Sequence, residues 1–272
     1  MELAFERRAG VTVLTQRYAS HPLAVQRAIR SDPAFPGLAH VHLLTTGAGI
    51  LAGDRLAVTL RLGAGSHVLA STVGASRVHP AVAGRLAAQT TLAELGPDAI
   101  LEWMPDALIP FGESRFTSHM EVRLDRGALL LACDVLAAGR IARGERWALA
   151  GLEQRLRLVG PGGRLLAAED YRLRPRRVAL TGPALLGGDG AVGTFRAVGT
   201  AVPAAPMVAA LRQAVDGCPG VLAGATTLPG GAGVVLRAAG GSTEAVEAAL
   251  QRAWDAARRL CLGPGAPARR RP

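Results

Sequence analysis

No lysine occurs anywhere in the 272-residue chain, so all 31 of its basic residues are arginine. That absence excludes a Walker A phosphate loop and any Schiff-base chemistry, both of which need a lysine amine. A nucleotide that drives this protein's work must therefore be bound by a partner. Aromatic residues are scarce, at 4%, which leaves no platform of rings on which nucleic-acid bases would stack. The three cysteines, Cys133, Cys218 and Cys261, lie far apart and form no C-x-x-C pair. Neither a disulfide framework nor a thiolate zinc site is expected, and buried reduced thiols are the simpler account. Apolar runs are short: the stretch from Ala128 to Cys133 is ended by Asp134. No segment approaches the roughly 20 apolar residues of a membrane span. The opening Met1-Glu-Leu-Ala-Phe-Glu-Arg-Arg8 mixes acids with bases and holds no apolar stretch of signal-peptide length. A cytoplasmic location is expected.

What the chain does have is apolar bulk and many turns: 49% hydrophobic residues, 34 glycines and 17 prolines. A chain of this length hides roughly 70 to 75% of its unfolded surface on folding, enough for a sizeable core without staples. The expectation is one domain over residues 1–272, with 265–272 a disordered basic tail. The formal charge of +10 and the sequence pI near 11.2 allow a nucleic acid, an anionic membrane or an acidic protein as partner, and sign alone does not choose among them.

Period-two patterning dominates the first two thirds of the chain. From Asp54 to Leu62, Leu56, Val58, Leu60 and Leu62 alternate with polar neighbours, as in a strand with one buried face. Gly63-Ala-Gly65 follows, and His67 to Val73 reads as the return strand of a hairpin. Similar strands are predicted at Val11–Tyr18, Leu23–Ala28, His40–Thr45, Leu86–Glu94, Ile100–Met104, Phe116–Leu124 and Leu129–Val135. A second hairpin runs from Leu152 to Leu158, turns at Gly160-Pro-Gly-Gly163 and returns through Arg164 to Leu173. The Gly- and Ala-rich stretch 182–203 reads as a loose connection. Helical spacing comes only late. Pro206 to Gly217 carries Met207, Leu211 and Val215 four apart, and a longer helix capped by Ser242 or Thr243 carries Val246, Leu250, Trp254, Ala257 and Cys261 on one stripe. Arg258 and Arg259 suit its negative end. The fold class expected is mainly β, with stacked β-sheets arranged as a sandwich or a β-helix-like solenoid, and about two α-helices toward the C-terminus.

No catalytic constellation is present: there is no G-x-S-x-G, no H-E-x-x-H and no Cys-His signature, so a non-enzyme is expected. The cluster Gly47-Ala-Gly49-Ile-Leu-Ala-Gly53-Asp54 has the wrong spacing for a dinucleotide loop and leads into a strand; a close-packed strand crossing, with Asp54 capping a turn or pointing into a cavity, fits better. His40 and His42 share one face of a strand about 7 Å apart, a possible metal pair lacking an identifiable third ligand. His79 and His119 are single. Leu101-Glu102-Trp103-Met-Pro-Asp106 leads into Ile109-Pro110-Phe111 and reads as a rigid loop leaving the sheet. Gly139-Arg140-Ile-Ala-Arg143-Gly-Glu145-Arg146-Trp147 gathers arginines around one carboxylate, either as a surface ion pair or as a buried carboxylate held charged.

In their order these clusters resemble the UreD (also called UreH) family of urease accessory proteins. The resemblance rests on Leu43-Leu44 through Gly49 to Gly53-Asp54, on Ser71-Thr72 through Arg77-Val78-His79, on Leu101 to Phe111 and on Gly139 to Trp147. Weaker similarity continues through Gly193–Gly199 and Val234–Arg237 into the helix of Trp254 and Arg258. Departures are Ala48 and Ala52 where the family has glycine, Arg77 for lysine, His79 for tyrosine, and a C-terminus that lacks the usual Pro-Arg-Ile-Trp ending. The resemblance implies a β-rich scaffold that joins UreF and the GTPase UreG, docks on apo-urease and helps nickel reach its buried site, with nickel in transit and no stably bound cofactor. A metal that must be released again suits carboxylate and hydroxyl ligands along a wet passage better than thiolates. On that reading the candidates are Asp54, Ser71, Thr72 and Glu145, with Glu102 next, and loss of the Asp54 carboxylate should lower nickel delivery without disturbing assembly. Two other functions remain open: a basic nucleic-acid-binding β protein, and a β-sandwich hydrolase with a triad assembled across the chain.

Overall fold

The computed structural model of the chain describes residues 1–182, 186 and 188–267. Two sheets face one another. The first holds β1 (Glu2–Arg8), β2 (Val11–Tyr18), β5 (Arg55–Leu62), β8 (Ala87–Leu95), β11 (Arg115–Leu124), β13 (Gly151–Val159) and β14 (Leu165–Leu173), side by side in the order β14-β13-β11-β8-β5-β1-β2. The second holds β3 (Leu23–Val25), β4 (Ala39–Thr45), β6 (His67–Thr72), β9 (Ile100–Met104), β12 (Leu129–Ala137), β15 (Ala191–Val198), β16 (Val221–Thr227) and β17 (Gly233–Gly240). Their order is β16-β17-β15-β12-β9-β6-β4-β3, and the short strands β7 (Ser76–Val78) and β10 (Leu108–Pro110) join it at the side.

The chain winds as a solenoid, passing from one sheet to the other at each corner. In the first sheet β5, β8, β11 and β13 pair in parallel; in the second β4, β6, β9 and β12 do the same. Of the two arrangements the sequence left open, the stack is solenoid-like, and antiparallel strands flank it. The predicted hairpin across Gly63-Ala-Gly65 is therefore corrected. Its two strands, β5 and β6, belong to different sheets, and the Gly65 N–H donates to the carbonyl of Pro97 in the next corner at 2.8 Å. Strand, glycine turn, strand is the local signal of both a hairpin and a solenoid corner; only the long-range partner separates them. The other predicted hairpin is real, with Leu152 opposite Leu173 in an antiparallel pair.

The supposed loose stretch 182–203 contains β15, which lies between β12 and β17 in the second sheet. Its glycine has a packing role: a Cβ on Gly193 would lie 2.8 Å from Leu250 and Val246 side-chain carbons, so the small residue lets a helix approach the sheet. That helix, α2 (Thr243–Leu262), and α1 (Ala204–Val215) cover the outer face of the second sheet. The predicted stripe of α2 is buried at Val246, Leu250, Trp254 and Ala257, against Phe195, Leu236 and Met207. Ser242 caps it, its Oγ accepting from the Ala245 N–H at 3.2 Å. Of the expected tail, residues 265–267 fold back on α2, where the Ala266 N–H donates to Asp255 Oδ1 at 2.9 Å; residues 268–272 lie outside the described residues. Among the described residues no helix is long and apolar enough to cross a membrane.

Candidate functional site

Inward-facing side chains of the two sheets alternate with outward ones, and most of the inward set is apolar. Between the sheets they form two clusters. One is built on Leu60, Val68, Leu101, Val122 and Leu130, the other on Leu56, Phe116, Leu136, Leu149 and Leu152. A polar layer separates the two. Along β12 the inward sequence runs Leu130, Ala132, Asp134, Leu136; along β13 it runs Leu152, Gln154, Leu156, Leu158; along β11 it runs Phe116, Ser118, Met120, Val122. Each strand carries one polar residue at the same level, and an internal cavity of about 180 Å³ lies there. Thr45, Thr72, Ser76, Gln89, Thr91, Asp106, Ser118, Asp134, Gln154, Arg155, Glu169, Tyr171 and Arg196 contribute its polar lining. These come from successive coils, so the cavity follows the axis along which the coils stack.

Arg196 organises the far end of the layer. It is 5% exposed and donates to both oxygens of Glu169, at 3.0 and 2.6 Å, and to Asp134 Oδ2. Burial alone would raise the Glu169 pKa, but the hydrogen bonds and charge of Arg196 outweigh it and hold that carboxyl below its ordinary value. Burial opposes the Arg196 charge, and the two carboxylates more than offset this, keeping it protonated. Burial and the Asp134 charge push the Tyr171 hydroxyl up, so it stays protonated and donates to Gln154. A second guanidinium, that of Arg237, lies 3.7 Å from Glu169 Oε2, so the two carboxylates are matched by two arginines and the group carries no net charge.

The five candidates from the sequence do not converge. Thr72 lines the cavity, and its hydroxyl donates to Asp106 Oδ2 at 2.8 Å. Ser71, its neighbour, points to the opposite face of β6, where its hydroxyl lies 2.8 Å from His40 Nε2 and 2.9 Å from His42 Nδ1. The expected same-face placement of His40 and His42 holds, with ring centroids 4.2 Å apart. Burial lowers the His42 pKa, and nearby Asp106 partly opposes the shift. Asp54 closes its own turn, accepting from the Leu51 N–H at 2.8 Å. The neighbouring glycine serves a close crossing, as expected: Gly49 has φ +124°, and a Cβ there would lie 2.5 Å from the Arg77 carbonyl oxygen. Glu145 accepts from the Gly112 N–H at 2.9 Å and from Arg140 Nε at 2.8 Å. Arg140 in turn lies 4.0 Å from the centre of the Phe111 ring. Its hydrogen bonds from Arg140, then that from Gly112, lower the Glu145 pKa. Rather than leaving as a loop, the segment after Trp103 forms β10, paired in parallel with β7.

Glu102 is fully buried in a different setting. Its Oε1 is 2.7 Å from His67 Nε2, its Oε2 accepts from Trp254 Nε1 at 2.6 Å, and Arg258 Nε lies 3.3 Å from the same oxygen. Arg258 is also fully buried and donates to Asp32 Oδ2 at 2.6 Å. Beyond suiting the negative end of its helix, it forms a lock between α2 and the second sheet. Sequence reasoning missed Asp134, Glu169, Tyr171 and Arg196. A usable signal existed, namely a single polar residue in the inward phase of an otherwise apolar alternation. Among the described residues no group of three or more His, Cys, Asp or Glu side chains is arranged to hold a metal ion.

The family model for the UreD urease accessory protein matches residues 1–272. The chain belongs to the UreD family. It is 36% identical over 274 residues to a urease accessory protein UreD 2 of Streptomyces griseus, covering all of this chain and 93% of that one. It is 35% identical over 272 residues to a urease accessory protein UreD of Haloarcula marismortui, covering all of this chain and 89% of the other. A Cenarchaeum symbiosum UreD is 30% identical over 269 residues, with 98% and 93% covered. Membership of the UreD family supports a part in urease maturation and agrees with the resemblance carried by the ordered motifs.

Proposed function

We propose that this UreD-family protein is a non-catalytic maturation chaperone: it docks on apo-urease and, with UreF and the GTPase UreG, assists nickel insertion, the polar layer between its sheets serving as the route for the ion. The observation that carries the route is the cavity itself, a run of hydroxyl, amide and carboxylate groups, with Arg155 and Arg196 among them, between two apolar clusters. Nickel takes oxygen and imidazole ligands, and weak oxygen ligands release it more readily than thiolates. Asp134 and Glu169 supply carboxylate oxygens, and Arg196 and Arg237 beside them limit how tightly a cation binds. Thr72 and Asp106 continue the lining toward β4. Of the sequence candidates Thr72 is retained on the route; Asp54, Ser71, Glu102 and Glu145 have hydrogen-bond partners away from the cavity.

The test is co-expression of urease with the accessory proteins and either the parent chain or a variant, with nickel per active site as the readout. Asp134→Asn with Glu169→Gln removes both carboxylates, and Ser118→Leu fills part of the cavity. Both variants should assemble with their partners and deliver less nickel. Full nickel content with either variant would sink the route. If urease matured fully with no copy of this chain present, the chaperone reading would fall as well. An Asp54→Ala chain that still supports full activation takes that carboxylate off the path.

A further inference from the structure

We propose that His40 and His42, together with the Ser71 hydroxyl, form a binding site for a divalent transition-metal ion on the outer face of the second sheet, apart from the cavity. The site does not depend on the route proposed above, because β6 turns Ser71 away from the cavity and Thr72 toward it.

The geometry begins with the strand. His40 and His42 are two apart on β4, so both imidazoles leave the same face. Val41 between them is fully buried and anchors the strand in the core. In the parallel pairing of β4 and β6, His42 stands directly opposite Ser71. Two imidazole nitrogens, His40 Nε2 and His42 Nδ1, therefore reach the same hydroxyl oxygen at 2.8 and 2.9 Å. A hydroxyl carries one hydrogen, so it donates to one nitrogen and must accept an N–H from the other. When a cation enters, that imidazole proton moves to the far nitrogen of its own ring, and both facing nitrogens then turn lone pairs, with the oxygen as third donor, toward one point. The far nitrogen of His40, Nδ1, is 2.6 Å from Ser31 Oγ, the kind of outer contact that fixes ring orientation in metal sites. Both histidines are half-buried, so solvent and ions reach them.

Donor chemistry sets the selectivity. Two imidazoles and a hydroxyl suit nickel, copper or zinc and suit magnesium or calcium poorly. Water would complete the coordination, so binding should be reversible.

The test uses the purified full-length chain in calorimetric titrations with nickel, zinc and magnesium at pH 7.5. The parent should bind nickel and zinc at one site and show no heat with magnesium. His40→Gln and His42→Gln should each weaken nickel binding at least about tenfold, and His79→Gln should leave it unchanged, with circular dichroism checking that each variant is folded. A second measurement needs no variant: histidine modification by diethyl pyrocarbonate, mapped by mass spectrometry with and without nickel, should show protection of His40 and His42 and not of His21 or His79. No nickel or zinc binding by the parent, unchanged binding in the His40→Gln/His42→Gln double variant, or equal modification of His40 and His42 with and without nickel would each overturn the site. Loss of the His40/His42 site with normal urease activation would leave the interior route standing, and the converse result would leave this site standing.

Discussion

Two places in the molecule pair carboxylates with a buried arginine, and they differ in what lies beside them. At the lock, Glu102, Asp32 and Arg258 are packed with Trp254, Phe35 and His67, and neither Glu102 nor Arg258 has any exposed surface. At the axial layer, Asp134 and Glu169 share Arg196 beside open volume. The same charges thus hold an element in place where space is filled and, on the proposed route, face a visiting ion where space is left. Burial of a carboxylate is by itself a poor guide to function; the unfilled volume next to it decides.

The largest effect separating the two should come from breaking the lock. Arg258→Met leaves Glu102 and Asp32 buried without their partner, and loss of one member of such a set costs about 3–5 kcal/mol. Urea unfolding should show that loss, and a change under about 1 kcal/mol would remove the distinction. At the layer, Asp134→Asn with Glu169→Gln keeps hydrogen-bond acceptors for Arg196. Because Arg196 then stays buried without a counter-charge, that double substitution should cost about 3 kcal/mol by the same measurement, the low end of the range for the lock, while nickel delivery falls.

Acid should sharpen the comparison further. The folded pKa of Glu169 lies below its ordinary value. Its contribution to stability is therefore complete above the unfolded carboxylate value, near 4.3, and is lost as pH falls through the lower folded value. Unfolding midpoints measured across that range should decline less steeply for Glu169→Gln than for the parent. The smallest effect is expected far from both places. Asp54→Ala removes one hydrogen bond within an exposed turn and should cost about 1 kcal/mol.

Much of this architecture was readable because strands with one face buried print their period on the sequence. Val58, Leu60 and Leu62 show it plainly, and so does the α2 stripe through Leu250 and Trp254. The corner at Gly63–Gly65 was misread because the hydrogen bond that distinguishes it runs to Pro97, 32 residues from Gly65 and in the next coil. β15 was hidden by Gly193, whose smallness serves a helix about fifty residues later. The candidate site was less legible. Thr72 was found through motif order, whereas Arg196 meets Asp134 across 62 residues and Trp254 meets Glu102 across 152, pairings that no local window contains. Adjacent residues also misled: Ser71 and Thr72 were grouped by their position in the chain, and a strand sends neighbours to opposite faces.

Parallel stacking gives the molecule a built-in ruler. Each added coil moves the next pair of strands along by about 4.8 Å, so the span of the interior polar run is counted in whole turns of the chain. A duplicated or deleted turn would lengthen or shorten that run by the fixed step, and an evolving or engineered relative could match a deeper or shallower target simply by changing the tally.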